Sequence, residues 1–435
     1  MARTTPRTEP NHMKCPVSLR DVDLFSPGAQ EHWYEAYPIL HRDAPVHRIP
    51  GEGTTPNHDA FILSKYEDIS MVVKDWERFP AFLSDKPRPQ ADGTYAPLNA
   101  MQESILTLRP NPELWRSHRQ ELTDPWVGPG ATRNTDMITR FADQLIDNWI
   151  DNGKVDFVGE FARPLPQMVM ATVLGFPLSD LKQLETWGTA QVAPFVFGRG
   201  HRNQLTPEEI VEQFKVLDGF KEYVAEKVVE KRANPQDDMI SFLTQVTYKA
   251  LDRKLTDIEI NGIVYAMVIG GLETTQYAIA EQAQLLCEDP EMFRTIKNDR
   301  SKLRQFTEEG MRLRAPTQGL STRYTTQDEV FQGVTVPKGS ILHMRWAAGN
   351  LDPDEFECPE KLDLELKGVG RHLTFSQGPR ICPGAGISRL EQQIAWDRLL
   401  DRIDGLEYDE GNTFRHQPGI MMGLYELHLK FTKAA

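Results

Sequence analysis

The chain has 435 residues, 40% of them hydrophobic, with 8 Trp and 20 Phe, enough for a substantial core. Its 49 Lys+Arg against 63 Asp+Glu leave a formal charge of -14, which argues against nucleic acid or an anionic membrane surface as a partner. Four cysteines (Cys15, Cys287, Cys358 and Cys382) without C-x-x-C spacing exclude a disulfide framework and predict a reducing, cytoplasmic location.

Residues 1–20 read as a polar amino-terminal segment, with no apolar run long enough for a leader or membrane anchor. Ala60-Phe61-Ile62-Leu63 predicts a short strand. The stretch from Ser84 to about Leu106 carries Pro87, Pro89, Gly93 and Pro97 and predicts a long loop. Helical patterns then dominate from about Asn111 to Leu313. Within them, Trp115 and Arg119 share one helix face, and Phe195 and Phe197 fall in a Pro/Gly-flanked loop that suits a lid.

Thr256 and Glu259 form a capping box, with Leu255 and Ile260 as a hydrophobic staple. A helix is predicted from there to Cys287, stopped by Asp289-Pro290. Thirty residues at ~1.5 Å each span roughly 45 Å, the width of a domain. Its centre, Gly270-Gly271-Leu272-Glu273-Thr274-Thr275, holds two glycines that each cost on the order of 1 kcal/mol in a helix, so they need a reason. Close approach of a ligand to the backbone supplies one. Thr274 can bond back to the Gly270 carbonyl and loosen the helix there. Strand signals return around Val334-Thr335-Val336 and at Glu426–Phe431.

Near the carboxyl end the chain reads Phe375-Ser376-Gln377-Gly378-Pro379-Arg380-Ile381-Cys382-Pro383-Gly384. Glycines on both sides let the backbone turn tightly, Pro383 suits a helix start, and a helix amino end favours thiolate. Such a segment can present a thiolate to a large, flat, anionic metal cofactor. It fills every fixed position of F-x-x-G-x-R-x-C-x-G and so resembles the haem-binding loop of the cytochrome P-450 superfamily. Gly270–Thr275 resembles the family's oxygen-activating motif, with Glu273 where aspartate is more usual. Glu309-Gly310-Met311-Arg312 resembles its E-x-x-R, and Trp115 with Arg119 its W-x-x-x-R. The four matches fall in family order from Trp115 to Gly384.

The resemblance implies a mainly α chain with minor β: one large helix-rich domain over 21–435, a long central helix crossing the haem, and small antiparallel sheets. It implies haem b (iron protoporphyrin IX) with Cys382 as the axial iron ligand, and Trp115, Arg119, Arg323 and Arg380 as propionate contacts. Phe375 would pack on the proximal face, and Gly384 and Ala385 would donate to sulfur, since Pro383 has no N–H. Glu309 and Arg312 would brace the loop. The family's third brace arginine would fall at Leu366, leaving Lys367 or Arg371 to replace it. Thr274 and Glu273 would deliver the two protons that O–O cleavage needs.

For substrate, the resemblance implies an apolar pocket of Ala266, Ile269, Gly270, Gly319, Leu320, Phe195 and Phe197, with Tyr95, Leu98 and Met101 as further candidates; glycines at 270 and 319 would leave room. Arg116, Arg119 and Arg389 would form a basic patch for an acidic ferredoxin with its NAD(P)H-dependent reductase, because the chain has no flavin or iron–sulfur motif of its own. The expected protein is a monomeric bacterial-type monooxygenase that hydroxylates or dealkylates a hydrophobic small molecule with dioxygen. A peroxide-driven peroxygenase of the same fold, or a non-catalytic haem-binding sensor, are the alternatives.

Overall fold

The computed structural model describes residues 15–26, 28–55, 57–80, 88–89, 95–96, 112–196, 206–319, 322–417 and 419–434. Helices make most of it, and one hydrophobic core runs through them from Leu122 to Leu429. Two smaller apolar clusters lie under the early helices and the larger sheet. Among the described residues no helix is long and apolar enough to cross a membrane.

The predicted strand Ala60–Leu63 is buried along its whole length and lies inside a four-stranded sheet. Val46–Ile49 pairs with it antiparallel, Val46 opposite Leu63. On its other side Ile341–Met344 runs parallel, Ile341 opposite Ala60, and Thr322–Tyr324 closes the sheet antiparallel. The other described strand pairs are antiparallel, as expected; the strands of this one parallel pair lie far apart in the chain with helices between them, as a parallel crossover allows. Val334–Val336 pairs with Glu329–Phe331. The last strand, His428–Lys433, begins two residues later than the sequence signal and sits between Ile403–Tyr408 and Lys154–Asp156.

The central helix differs most from expectation. Its capping box is formed: Thr256 N–H donates to Glu259 Oε2 at 2.8 Å, and Thr256 Oγ1 accepts from the Glu259 amide at 3.3 Å. The staple residues Leu255 and Ile260 are buried. The helix is not continuous, however. It runs Asp257–Gly271, breaks at Leu272 and Glu273, and resumes as Thr274–Glu288. The two glycines and the Thr274 back-bond act at one point, and together they interrupt the hydrogen-bond ladder.

The second half of this broken helix packs against Ala385–Arg402, the helix that follows the cysteine. Buried polar side chains join them: Thr275 Oγ1 to Ser388 Oγ at 2.9 Å, Gln282 Nε2 to Gln392 Oε1 at 2.6 Å, and Trp396 Nε1 to Gln282 Oε1 at 2.7 Å. Such a satisfied network fixes the register of the two helices better than apolar contact would.

Glu391 on the same cysteine helix is a different case. It is buried, and its Oε2 has no hydrogen-bond partner among the described residues. Burial pushes its carboxyl well above the ordinary range. The folded protein therefore keeps a proton that the unfolded chain releases. Stability from this group is complete below the unfolded carboxylate value, about pH 4, and falls as pH rises above it. Glu391→Gln is expected to flatten the decline of melting temperature as pH rises above about pH 5. A variant whose melting profile keeps the wild-type slope would refute this assignment.

Candidate active site

The cysteine loop is shaped by its own backbone. The Cys382 amide donates to the Phe375 carbonyl at 2.8 Å and closes the loop. Ser376 and Gly378 have positive φ, +59° and +71°. At Gly378 a Cβ would lie 2.9 Å from the Val73 carbonyl, so the glycine serves both the turn and the packing. Regular helix begins at Ala385 rather than at Pro383, with Gly384 as its N-cap. Ahead of it the chain makes a tight turn, the Ala385 amide reaching the Cys382 carbonyl at 3.4 Å.

Cys382 Sγ accepts the amides of Gly384 and Ala385. Burial pushes the thiol up; the Gly384 amide, the charges of Arg119 and Arg389, and the Ala385 amide oppose it. A half-enclosed sulfur fed by two N–H donors is the donor set of a metal-bound thiolate, which such donors stabilise once a cation draws off the proton. Gly386 sets the position of the whole segment. A Cβ there would stand 2.1 Å from the Gly128 carbonyl, so the helix rests backbone to backbone on the chain after Trp126.

That neighbouring chain brings Trp115 and Arg119 to the loop. Trp115 Nε1 donates to the Pro379 carbonyl at 3.1 Å, and Arg119 donates to the Ile381 carbonyl. Arg119, Arg380 and Trp115 are thereby gathered beside Cys382. Between them His118 is buried and stacked on Trp115, centroids 5.5 Å apart. Burial, and then the Arg119 charge, push His118 down to about 4, so it is a neutral ring at this edge. Nothing in its sequence neighbourhood singles it out. Arg323 is buried on its strand, paired opposite Leu342, and donates to the Thr322 carbonyl at 3.0 Å.

The E-x-x-R pair is fully buried. Arg312 Nε and Nη2 meet the two Glu309 oxygens at 2.6 and 2.9 Å. Its remaining donors reach the carbonyls of Asn350, Pro359 and Lys361 at 3.0, 2.6 and 3.1 Å. Asn350 carries the brace onward: its side chain accepts from the Leu373 amide at 2.6 Å and donates to Thr374 Oγ1 at 2.9 Å. Leu373 and Thr374 lead directly into Phe375. Asn350 was missed in the sequence because a single Asn among apolar residues carries no spacing signal.

Neither substitute proposed for the missing brace arginine takes that role. The Asp363 amide meets Glu309 Oε1 at 3.0 Å instead, while Arg371 pairs with Glu355 and donates to the Lys367 carbonyl at 3.0 Å. A main-chain donor thus occupies the lone pair an arginine would have used.

Phe375 is half-buried, with the Arg389 guanidinium 4.5 Å from its ring centre. Arg389 is not a free docking charge. Its Nε and Nη2 lie 2.5 and 2.9 Å from the Glu308 carboxylate, which also meets His372 Nε2 at 3.1 Å. Burial would raise the Glu308 carboxyl, but His372 and Arg389 hold it down at about 2. Arg116 is exposed.

The cysteine helix packs against the second half of the central helix, which starts at the break. Thr274 Oγ1 donates to the Gly270 carbonyl at 2.8 Å, the bond the sequence predicted. Ala266, Gly270 and Thr274 follow at four-residue spacing on one face, with Ile269 beside them. A Cβ on Gly270 would meet nothing within 4 Å, so this face opens onto free space. At Gly271 a Cβ would strike the Met170 side chain, which explains the second glycine by packing. Burial raises the Glu273 carboxyl; a hydrogen bond from Tyr277 and the Arg163 charge pull it down, and Glu185 adds to the rise.

Gly319 does not leave room for a ligand as expected. A Cβ there would lie 2.2 Å from the Met344 carbonyl, so its side-chain place is taken by backbone. Phe195 belongs to the last turn of the helix Leu181–Val196, not to a loop, because the helical pattern runs on past Pro194. Tyr95 lies in a two-residue strand paired with Arg88–Pro89. Phe197, Leu320, Leu98 and Met101 fall outside the described residues.

A half-buried loop cysteine with two amide donors, arginines gathered beside it, and an open helix face carrying an alcohol, with an acid one residue before it, are the parts a haem-thiolate enzyme needs. The residues beside the loop fit the group: Cys382 would ligate the iron, and Trp115, Arg119 and Arg380 would meet the propionates, while the described contacts of Arg323 keep it on its strand. The comparison with known proteins agrees. Residues 54–431 match the family model described as cytochrome P-450. The chain is 25% identical to the polyketide biosynthesis cytochrome P-450 PksS of Bacillus subtilis, over 88% of this chain and 92% of that one. It is 26% identical to the vitamin D(3) 25-hydroxylase of Pseudonocardia autotrophica, over 90% and 94%. The solved structure of the Bacillus subtilis bacillaene polyketide synthase cytochrome P-450 PksS superposes with a TM-score of 0.79 at 24% identity, covering 94% of this chain and all of that one, 100%. This chain belongs to the cytochrome P-450 family and is a haem-iron oxidoreductase of its monooxygenase type.

Proposed function

We propose that this enzyme oxidises a hydrophobic small molecule with dioxygen, taking electrons from an acidic ferredoxin supplied by an NAD(P)H-dependent reductase. The observation that carries the reading is the helix break, where Glu273 and Thr274 stand next to the open Gly270 face. Haem bound at Cys382 supplies the redox chemistry that reduces dioxygen. The chain's own residues supply the rest. Ala266, Ile269 and the bare Gly270 backbone offer an apolar wall for the substrate. Burial raises the Glu273 carboxyl, which favours its protonated form and suits it to pass a proton on. Thr274 gives up its bond to the Gly270 carbonyl by rotating about Cα–Cβ, and can then donate into the same space.

The substrate class rests on that apolar face and on relatives such as the vitamin D(3) 25-hydroxylase. The docking patch rests on Arg116, since Arg389 is held by Glu308. Ligand screening by the spin-state shift of the Soret band identifies candidate substrates. Their turnover with ferredoxin, reductase and NAD(P)H is then compared with turnover on peroxide alone; product from peroxide only would overturn the reading. Thr274→Ala is expected to keep consuming NAD(P)H while product per NAD(P)H falls about tenfold and hydrogen peroxide rises. A wild-type yield in that variant would remove Thr274 from proton delivery.

A further inference from the structure

Beyond the break, positions 273, 277 and 281 recur at four-residue spacing along one helix face. Tyr277 is buried, and its hydroxyl donates to Glu273 Oε2 at 2.8 Å. The same hydroxyl is bonded to the Gln417 side chain. One turn further on, Glu281 Oε1 lies 3.1 Å from His416 Nε2, and His416 Nδ1 lies 2.7 Å from Glu31 Oε2. Burial would lower His416, but carboxylates on both ring nitrogens hold it up at about 10. His416 and Gln417 open a turn near the carboxyl end, closed by the bridge His416–Leu424 and by the Gln417 amide donating to the Gly423 carbonyl at 2.9 Å.

The turn is fitted to one ring. A Cβ on Gly423 would stand 2.1 Å from Tyr277 Cε1, so the tyrosine lies in the place a side chain would fill. Val192 and Met421 pack around it. Glutamate is one methylene longer than aspartate and has more rotamers to lose, so a carboxylate placed by glutamate gains more from a fixed donor.

We propose that Tyr277 is the positioning residue of Glu273, and that the turn 416–424 sets the proton-delivering carboxylate through it. The proposal rests on the role given to Glu273 above. The phenol keeps its proton: it donates to Oε2 and leaves Oε1 to the delivery of the proton. Glu273 is also faced by Arg163 and Glu185 from neighbouring segments. Without the phenol, Glu273 loses a donor that favours its charged form, and holds its proton to higher pH.

Tyr277→Phe keeps the ring and its seat. In the haem-loaded enzyme, the infrared carbonyl stretch of protonated Glu273, identified by its loss in Glu273→Gln, is expected to titrate at higher pH in Tyr277→Phe. Product per NAD(P)H is expected to fall about fivefold, the worth of one hydrogen bond, and to fall no further when Tyr277→Phe is added to Glu273→Gln. Gly423→Ala, which displaces the ring, is expected to give the same two changes. An unmoved infrared titration in Tyr277→Phe, or an equal loss of yield in both backgrounds, overturns the proposal. A moved titration with wild-type yield in Glu273→Gln supports the positioning contact and overturns the role of Glu273 in proton delivery.

Discussion

Cys382→Ser is expected to abolish the red-shifted Soret band of the reduced, carbon-monoxide-treated protein, and with it essentially all monooxygenase turnover. The sulfur sits between two amide donors and two guanidinium charges, all placed to stabilise an anion at that point. A serine oxygen has a far higher pKa, stays neutral at working pH, and offers the iron a weak ligand. The fold should survive the change. The loop is closed by main-chain contacts, the Cys382 amide to Phe375 and the backbone contact at Gly386, which serine leaves in place. Near-native circular dichroism with a lost band is thus the expected pair of results. An unchanged spectrum would remove Cys382 from the metal.

Arg312→Met is expected to destabilise the protein by about 3–5 kcal/mol, because it leaves the buried Glu309 carboxylate without its partner. Three carbonyls lose donors at the same time. The damage should spread along Asn350 to Leu373 and Thr374, so haem content should fall together with the unfolding midpoint. The double variant Glu309→Leu/Arg312→Met should recover only part of the loss. It removes the stranded charge but not the unmet carbonyls, nor the Asp363 amide that Glu309 accepted. Full recovery would mean that the ion pair, and not the set of main-chain acceptors, carried the brace. Chemical denaturation of the haem-loaded proteins measures both variants.

What could be read in the sequence divides along a physical line. The cysteine loop, the Glu273–Thr274 motif and Glu309–Arg312 were singled out through the family resemblance, since each is a short pattern of fixed spacing. The bond from Thr274 to the Gly270 carbonyl was also predictable, since a four-residue step on a helix decides it. A local loosening was expected with it, but a full break over Leu272 and Glu273 was not. The packing around the break comes from distant segments: Met170 fills the place of a Gly271 side chain, and Ser388 bonds Thr275. Gly319 misled for a related reason: a glycine in sequence is only an empty place, and here the Met344 carbonyl fills it. Asn350, His118 and Tyr277 gain their meaning from partners far away in the chain. Arg389 was assigned to the surface because its charge was visible, while Glu308, eighty-one positions earlier, was not recognisable as its partner.

The contact of Gly386 with Gly128 has a mechanical consequence. With no side chains between them, the two backbones have nothing to slide on and no rotamer to absorb a displacement. The cysteine helix and the segment that carries Trp115 and Arg119 must therefore shift as one rigid body. Breathing of the enzyme to admit or release a ligand has to be taken up elsewhere, so the separation of Cys382 from Arg119 should stay constant through the working cycle.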